Sequence, residues 1–433
     1  MPLCYGTLLI LAVMLANGAA GDVEAPVKKT LSLDEALQAA LQHHPRLRRA
    51  MDQIAAAESR TRQARSSYYP QIDAGGLAKQ GLSGSANLFG LHGLASSPEP
   101  RDMAASINVY QDILDFGRTR HAAAARTYEL EFLVENARAE KGLVVRDLRV
   151  SYFDALKARR SVLVAEKRLE EKNLLVRKAE AFHRAQLQSK LELEKARVDL
   201  AQAELELLGT GSALQRAMAR LRNAMGVESD EAALELVDDA APARQPGALP
   251  ELLSESLQLH PRIRGLDAQI RAGEQWVLKA KKERLPKIMG ILSAGWTRFS
   301  DLSLGKLLFG GIGIKLPVFT GGYHKEQIEQ AKKEVALAKG LRQEVVLTIR
   351  LEAETAYRTL TDALKSHEVG LQLIRHQELD LKLVQAQRRA ELVDAAALLR
   401  AEAALLSAES RYAGSLYDSR IRQAELLFAL GRE

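Results

Sequence analysis

Cysteine is almost missing from this chain: Cys4 is the only one in 433 residues. A single thiol forms no internal disulfide, so the fold has to rest on packing alone. Aromatic residues are scarce at 5%. That argues against a core built on large rings and, with abundant Ala, Leu, Glu, Lys and Arg, favours long, closely packed helices. An excess of one charge is also lacking. The 61 Lys and Arg are interleaved with 55 Asp and Glu, for a net charge of +6, and no basic block offers nucleic acid a grip. Past the N-terminus no apolar run reaches the roughly 20 residues that a membrane-spanning helix requires. HExxH and clustered Cys/His spacings are absent, so no metal is expected, and nothing calls for a cofactor. "GGIGIK" (310–315) lacks the Lys-Ser/Thr of a phosphate loop and sits in an alternating stretch, where Gly permits close backbone approach. No Ser-His-Asp or Cys-His arrangement is visible, so the reading is of a protein that is not an enzyme.

What is present begins with an apolar stretch from Leu8 to Ala16 followed by small residues. Residues 1–20 read as a secretory signal, cleaved after Gly18 or Ala20. No Lys or Arg precedes the apolar run, which is atypical, and Cys4 would leave with it. Export then follows. "LQHHPRLRR" near the start returns as "LQLHPRIRG" 216 positions on. The same offset links His44 to His260, Pro45 to Pro261, Gln53 to Gln269, Ala64 to Ala280 and Pro70 to Pro286. Beyond Pro286 the offset drops to 205 and holds, from Gly117 with Gly322 through Tyr152 with Tyr357 to Ala203 with Ala408. One 11-residue deletion explains both registers, so the chain is an internal duplication. The first repeat is expected over 21–237, a linker over 238–251, and the second repeat over 252–433.

Each repeat has the same order of signals. Pro45 and Pro261 suit the first turn of a helix, where the missing N–H costs nothing, and these helices are expected to run to about Tyr69 and Leu285. His44 and His260 read as caps or packed side chains rather than metal ligands. Pro70 and Pro286 then stop the helices, and the period changes to two in "QIDAGGLAK", "ASINVYQDIL" and, less regularly, "KIMGILSAGWT" and "LLFGGIGIKL". Hairpins are expected at about 71–114 and 287–317. Stretches of about ten alternating residues match tilted strands through an outer membrane. Ten of the 21 aromatics fall in windows 68–116 and 296–323, where about four would fall by chance, as membrane interfaces favour. An ordinary soluble hairpin in each half is the plainer alternative. Residues 118–184 and 323–389 then read as uninterrupted helices, turning back at tips near 185–189 and 390–394.

Four strands cannot close a barrel, since about eight is the smallest number that encloses side chains. Open edges in lipid would strand backbone N–H and C=O groups at several kcal/mol each. Other copies must complete the wall, and three chains supply twelve strands. At this point the residues resemble the TolC-like outer membrane efflux family, the outer membrane factor of tripartite efflux or type I secretion systems. The resemblance is carried by "LSLDEALQAALQHHPRL", "ARSSYYPQI", "DILDFGRTR", "IKLPVFTGGYHKEQIEQA" and "AELLFALG". It implies a fold that is mainly α with a small β part: a long α-helical coiled-coil barrel joined to a 12-stranded transmembrane β-barrel, four strands per chain, completed by trimerisation. It implies a homotrimer in outer membrane lipid of a Gram-negative cell, with a long periplasmic portion. Its partners would be a periplasmic adaptor (membrane fusion protein) and an inner-membrane pump. The channel would conduct passively.

The resemblance also places the adaptor contact at the tips, on Arg184, Gln186, Leu187, Arg389, Glu391 and Leu392, with Gln186 and Glu391 where family members often carry Gly. The best-known members set two acidic residues just inside the second turn; here Ala397 and Arg400 stand at those positions. Asp394 and Arg400 are therefore the candidate constriction, and cation selectivity does not carry over. The sequence leaves two rivals open: a periplasmic coiled-coil adaptor, and a structural coiled-coil protein without a channel.

Overall fold

The computed structural model describes residues 29–80, 101–227, 234–238, 241–299, 302–390, 392–393 and 395–432. The segment read as a signal, 1–20, lies outside them. In chain order the first half holds β1 (Lys29–Leu31), α1 (Leu33–His43), α2 (Pro45–Ser66), β2 (Gln71–Gln80), β3 (Arg101–Leu114), α3 (Arg118–Arg184), α4 (Lys190–Met225) and β4 (Leu234–Leu236). The second holds α5 (Leu249–Leu259), α6 (Pro261–Lys282), β5 (Lys287–Phe299), β6 (Leu302–Lys315), α7 (Tyr323–Arg389) and α8 (Ala395–Ala429). Helices α3 and α7 each have 67 residues, which at 1.5 Å per residue is roughly 100 Å. No helix among the described residues is long and apolar enough to cross a membrane.

Local chemistry accounts for where the elements begin and end. Ser32 and Glu35 form a reciprocal capping box at the start of α1. Pro45 and Pro261 open α2 and α6 in the first turn, and the residue before each is extended. His44 Nδ1 accepts the Arg46 N–H at 3.1 Å, and His260 Nδ1 accepts the Arg262 N–H at 3.2 Å. Both histidines are therefore helix caps. Helices α2 and α6 stop at Ser66 and Lys282, three residues short of the Tyr69 and Leu285 expected from the sequence. The reason lies in Pro70 and Pro286, since the residue before a proline is pushed out of helical geometry and the chain turns before it.

The halves also match in their tertiary contacts. Arg46 pairs with Asp147 at 3.4 Å, and Arg262 with Glu352 at 2.9 Å, at equivalent positions. Helix α4 ends at Gly226 (φ 72°), which lies on His44 and Pro45; α8 runs out to Gly431 (φ 70°), which lies on His260 and Pro261. The main core sits where the long helices pass the short ones. There Val144, Leu148, Tyr152 and Leu156 of α3 meet Ala36 and Ala40 of α1, Ala217 and Leu221 of α4, and Tyr417 and Ile421 of α8. A smaller cluster joins Ala353, Ala356 and Leu360 of α7 to Leu426, Ala429 and Leu430. Toward the far end the α3/α4 hairpin is laced by Arg168–Glu206, Lys172–Asp199 and Arg197–Glu180. Exposed pairs of this kind contribute little each, about 0.2–1 kcal/mol, so alanine-rich packing holds the hairpin.

No sequence pattern announces the parallel pair that β1 and β4 form, Lys29–Leu31 against Leu234–Leu236. The buried Tyr152 hydroxyl lies 3.0 Å from the Leu31 carbonyl oxygen and 2.7 Å from that of Val237, beside the pair. Three-residue strands are too short to show a period of two.

His260 is 3% exposed, and its Nε2 meets no hydrogen-bond partner among the described residues. Burial, with Arg262 beside it, pushes the imidazole down from 6.5 to about 4. The folded chain therefore holds the ring neutral. Its contribution is complete above pH 6.5 and is lost as pH falls from there toward 4, on the order of 3 kcal/mol if fully developed. His260→Asn keeps a capping acceptor and removes the titration. Melting temperatures taken between pH 7.5 and 4.5 should fall less steeply for this variant than for the parent chain; equal slopes would show that His260 does not titrate there.

Candidate functional site: an open four-stranded sheet and two helical tips

The four longer strands form one antiparallel sheet in the order β2-β3-β5-β6, so β2 and β6 are its edges. At 10 to 14 residues each strand has the length of a tilted membrane span. The register sorts the side chains onto two faces. Rows Ile72–Val109–Leu292–Gly310 and Ala74–Ile107–Ala294–Leu308 lie on one face, with Ile312 and Ile314 continuing it. This face is apolar and uncovered: Ile72 is 68% exposed and Leu308 78%. The opposite face carries the row Asp73–Asn108–Ser293–Phe309. There the Ser293 hydroxyl donates to Asn108 Oδ1 at 2.6 Å, and Lys287 pairs with Asp112 at 2.9 Å. A sheet with lipid on one side and water on the other has this division.

The aromatics divide less simply than their clustering suggests. Tyr68, Tyr69, Phe116 and Phe319 are exposed where the strands meet the helices, as an interfacial girdle requires. Tyr110 and Phe309, however, lie on the polar face with Asn108 and Ser293. Counting aromatics in a window does not distinguish the two faces; their parity along the strand does.

At the junction of β3 and α3, Asp115 accepts the N–H groups of Gly117 at 2.8 Å and Thr119 at 2.6 Å. Burial pushes the carboxyl up, but the Thr119 and Gly117 hydrogen bonds and the Arg118 charge outweigh it and hold it below the usual range. Arg118 then reaches the end of α6, donating to the Lys282 carbonyl at 3.0 Å and also to that of Leu285. A cation on the exposed carbonyls of a helix end is favourable there. The sharp turn puts Phe116 (φ 54°) and Gly117 (φ 90°) in left-handed geometry, as Gly321 (φ 58°) and Gly322 (φ 86°) are in the second half.

The distal turns follow one plan. After α3, Leu187 N–H bonds to the Phe182 carbonyl at 2.9 Å and Gln186 N–H to that of His183 at 3.0 Å. This double bond pattern satisfies the last carbonyls of a helix and needs a left-handed residue, here Gln186 at φ 62°. After α7, Leu392 N–H bonds to the Gln387 carbonyl at 2.9 Å, the equivalent long bond. Arg184, Leu187, Arg389 and Leu392 are all exposed, the two leucines 73% and 75%. Glu391 and Asp394 lie outside the described residues. Arg400 is exposed on α8 shortly after its start, and Ala397 is half-buried. The sheet and the tips thus stand at opposite ends of the long helices. Among the described residues no group of three His, Cys, Asp or Glu is placed to hold a metal ion.

Comparison with known proteins agrees with this geometry. The family model "Outer membrane efflux protein" matches residues 36–227 and 252–432. The chain is 27% identical over 421 residues to Protein CyaE of Bordetella pertussis, covering 93% of this chain and 84% of that one. It is 25% identical over 343 residues to the cation efflux system protein CusC of Escherichia coli K12, covering 75% and 68%. Among solved structures, the CmeC outer membrane channel of Campylobacter jejuni superimposes with a TM-score of 0.79 at 15% identity, over 97% of this chain and 93% of that one. The chain belongs to the outer membrane efflux protein family: it is a trimeric, non-enzymatic channel of the Gram-negative outer membrane, with a periplasmic helical extension, serving tripartite efflux or type I secretion.

Proposed function

We propose that cargo enters this channel at its helical tips, from a periplasmic adaptor working with an inner-membrane pump. Arg184, Gln186, Leu187, Arg389 and Leu392 form the receiving surface, together with Glu391. One observation carries this reading: both long hairpins end in turns closed by the same long backbone bond, each presenting an exposed leucine, about a helix length from the sheet. An exposed leucine at each turn offers apolar area that a partner gains by burying, roughly 1.5–3 kcal/mol for a whole side chain. Leu187→Asp with Leu392→Asp should leave the trimer in the outer membrane and lower export of cargo at least about tenfold, the effect of losing ~1.4 kcal/mol of docking. Normal export by a correctly placed double variant would sink the assignment.

Just inside the second tip, Arg400 forms the narrow part of the tunnel, with Asp394 nearer the end. Three copies bring three guanidinium groups, always charged, to one height. A basic ring of this kind disfavours cations and attracts anions. In planar bilayers Arg400→Ala should raise cation permeability relative to anions and increase conductance. If both stay at the parent values, Arg400 does not line the constriction.

A further inference from the structure

Within one chain, α2, α3, α6 and α7 lie side by side in that order, in step with β2, β3, β5 and β6. The joint between the halves is α3 against α6. At its centre Gly265 faces Glu135 and Phe132: a Cβ on Gly265 would stand 3.5 Å from the Glu135 Cβ and 3.4 Å from Phe132 Cδ2. Farther along the same joint Trp276 Nε1 donates to Glu129 at 2.9 Å.

The repeat offsets translate each of these positions. Counting 205 on from α3, Glu135 corresponds to Gly340, Phe132 to Leu337 and Glu129 to Glu334 in α7. Counting 216 back from α6, Gly265 corresponds to Arg49 and Trp276 to Arg60 in α2. The substitutions are reciprocal. Inside the chain a glycine on α6 receives a long side chain from α3; at the outer positions the glycine has moved to α7 and the long side chain to α2. Gly340 has nothing within 4 Å of where its Cβ would stand, Leu337 is 73% exposed, and Arg49, Arg60 and Glu334 are exposed. The half-buried Trp-to-carboxylate bond becomes an Arg-to-carboxylate pairing, which keeps the carboxylate and replaces its neutral donor by a charged one.

We infer that the seam between two copies of this chain is formed by Arg49 of one copy lying over Gly340 and Leu337 of the next, with Arg60 opposite Glu334. The inference rests on the trimeric channel and adds which residues meet. The seam repeats the α3–α6 joint in trace and inverts it in side-chain size. A flat pairing of two exposed helices would not leave one glycine on one side and one long cation on the other at matching heights.

The test uses the spacing of the inner joint. A Cβ separation of 3.5 Å is within disulfide range. In the full-length protein in its outer membrane, oxidised R49C/G340C should run on a denaturing, non-reducing gel as a three-chain species that reductant returns to one chain. R49C and G340C alone should give none. E135C/G265C, the inner equivalent, should oxidise within one chain without a gain in mass. If that inner pair oxidises and the extracted R49C/G340C protein is still trimeric but uncrosslinked, the seam is wrong and the channel stands. If the R49C/G340C protein and the parent are both monomeric in the membrane, the trimer itself fails, and the seam with it.

Discussion

Arginine in place of Leu292 should nearly abolish the heat-resistant trimer in outer membrane fractions, whereas arginine at the adjacent Ser293 should leave it in place. Leu292 lies in the middle of β5 between Val109 and Gly310, on the apolar face. A basic side chain on the lipid face of a barrel costs about 2–4 kcal/mol near the midplane, and a trimer would bear that cost three times. Ser293, one residue on, points to the other face and bonds to Asn108. An arginine there meets water, so Ser293→Arg should assemble and shift conductance toward anions. Equal accumulation of the two variants would mean that the faces are reversed or that this sheet never enters lipid. Adjacent residues are a strict test because a strand changes face at every step.

Gly226→Ala should cost roughly 3 kcal/mol of stability. Two effects add. At φ 72° a side chain is strained in left-handed geometry, worth about 1–2 kcal/mol. The new Cβ would also stand 2.9 Å from His44 Cα and from Pro45 Cδ, atoms of a backbone and a ring that cannot swing aside, and overpacking of that kind costs about 1–3 kcal/mol. Gly431→Ala should behave alike, with φ 70° and contacts at 3.0 Å to His260 and Pro261. Gly209 and Gly211 supply the contrast: they lie within α4 with nothing within 4 Å of an added Cβ. Alanine there should be neutral or stabilising by up to about 1 kcal/mol. Thermal unfolding of the four variants checks the ranking, and a Gly226→Ala protein as stable as Gly209→Ala would refute the close contact.

Those glycines also show which parts of the molecule were legible beforehand. Pro45, Pro261, Pro70 and Pro286 act locally, so the starts and stops of α2 and α6 could be read from the chain to within three residues. The alternation in 71–79 and 105–114 reports the pleat directly, and the two faces of the sheet follow it. The long helices were legible because nothing interrupts them. What stayed hidden depends on residues far apart. Tyr152 beside Leu31 and Val237, Arg118 on the end of α6, and Gly226 against His44 each need the fold before the pairing exists. At the tips, the turn was visible but the left-handed Gln186 was not, because glutamine carries no signal for that geometry.

The β1–β4 pair has a consequence for whatever grips the outside of the channel. Both halves follow the same helical trace, yet among the described residues this short pair arises once, between Lys29–Leu31 and Leu234–Leu236 beside the segment that joins the halves. Around a ring of three copies, a binder that reads only the helical surface meets six near-equivalent grooves. One that reads the pair finds three, so the stoichiometry of a bound ring reveals which of the two it recognises.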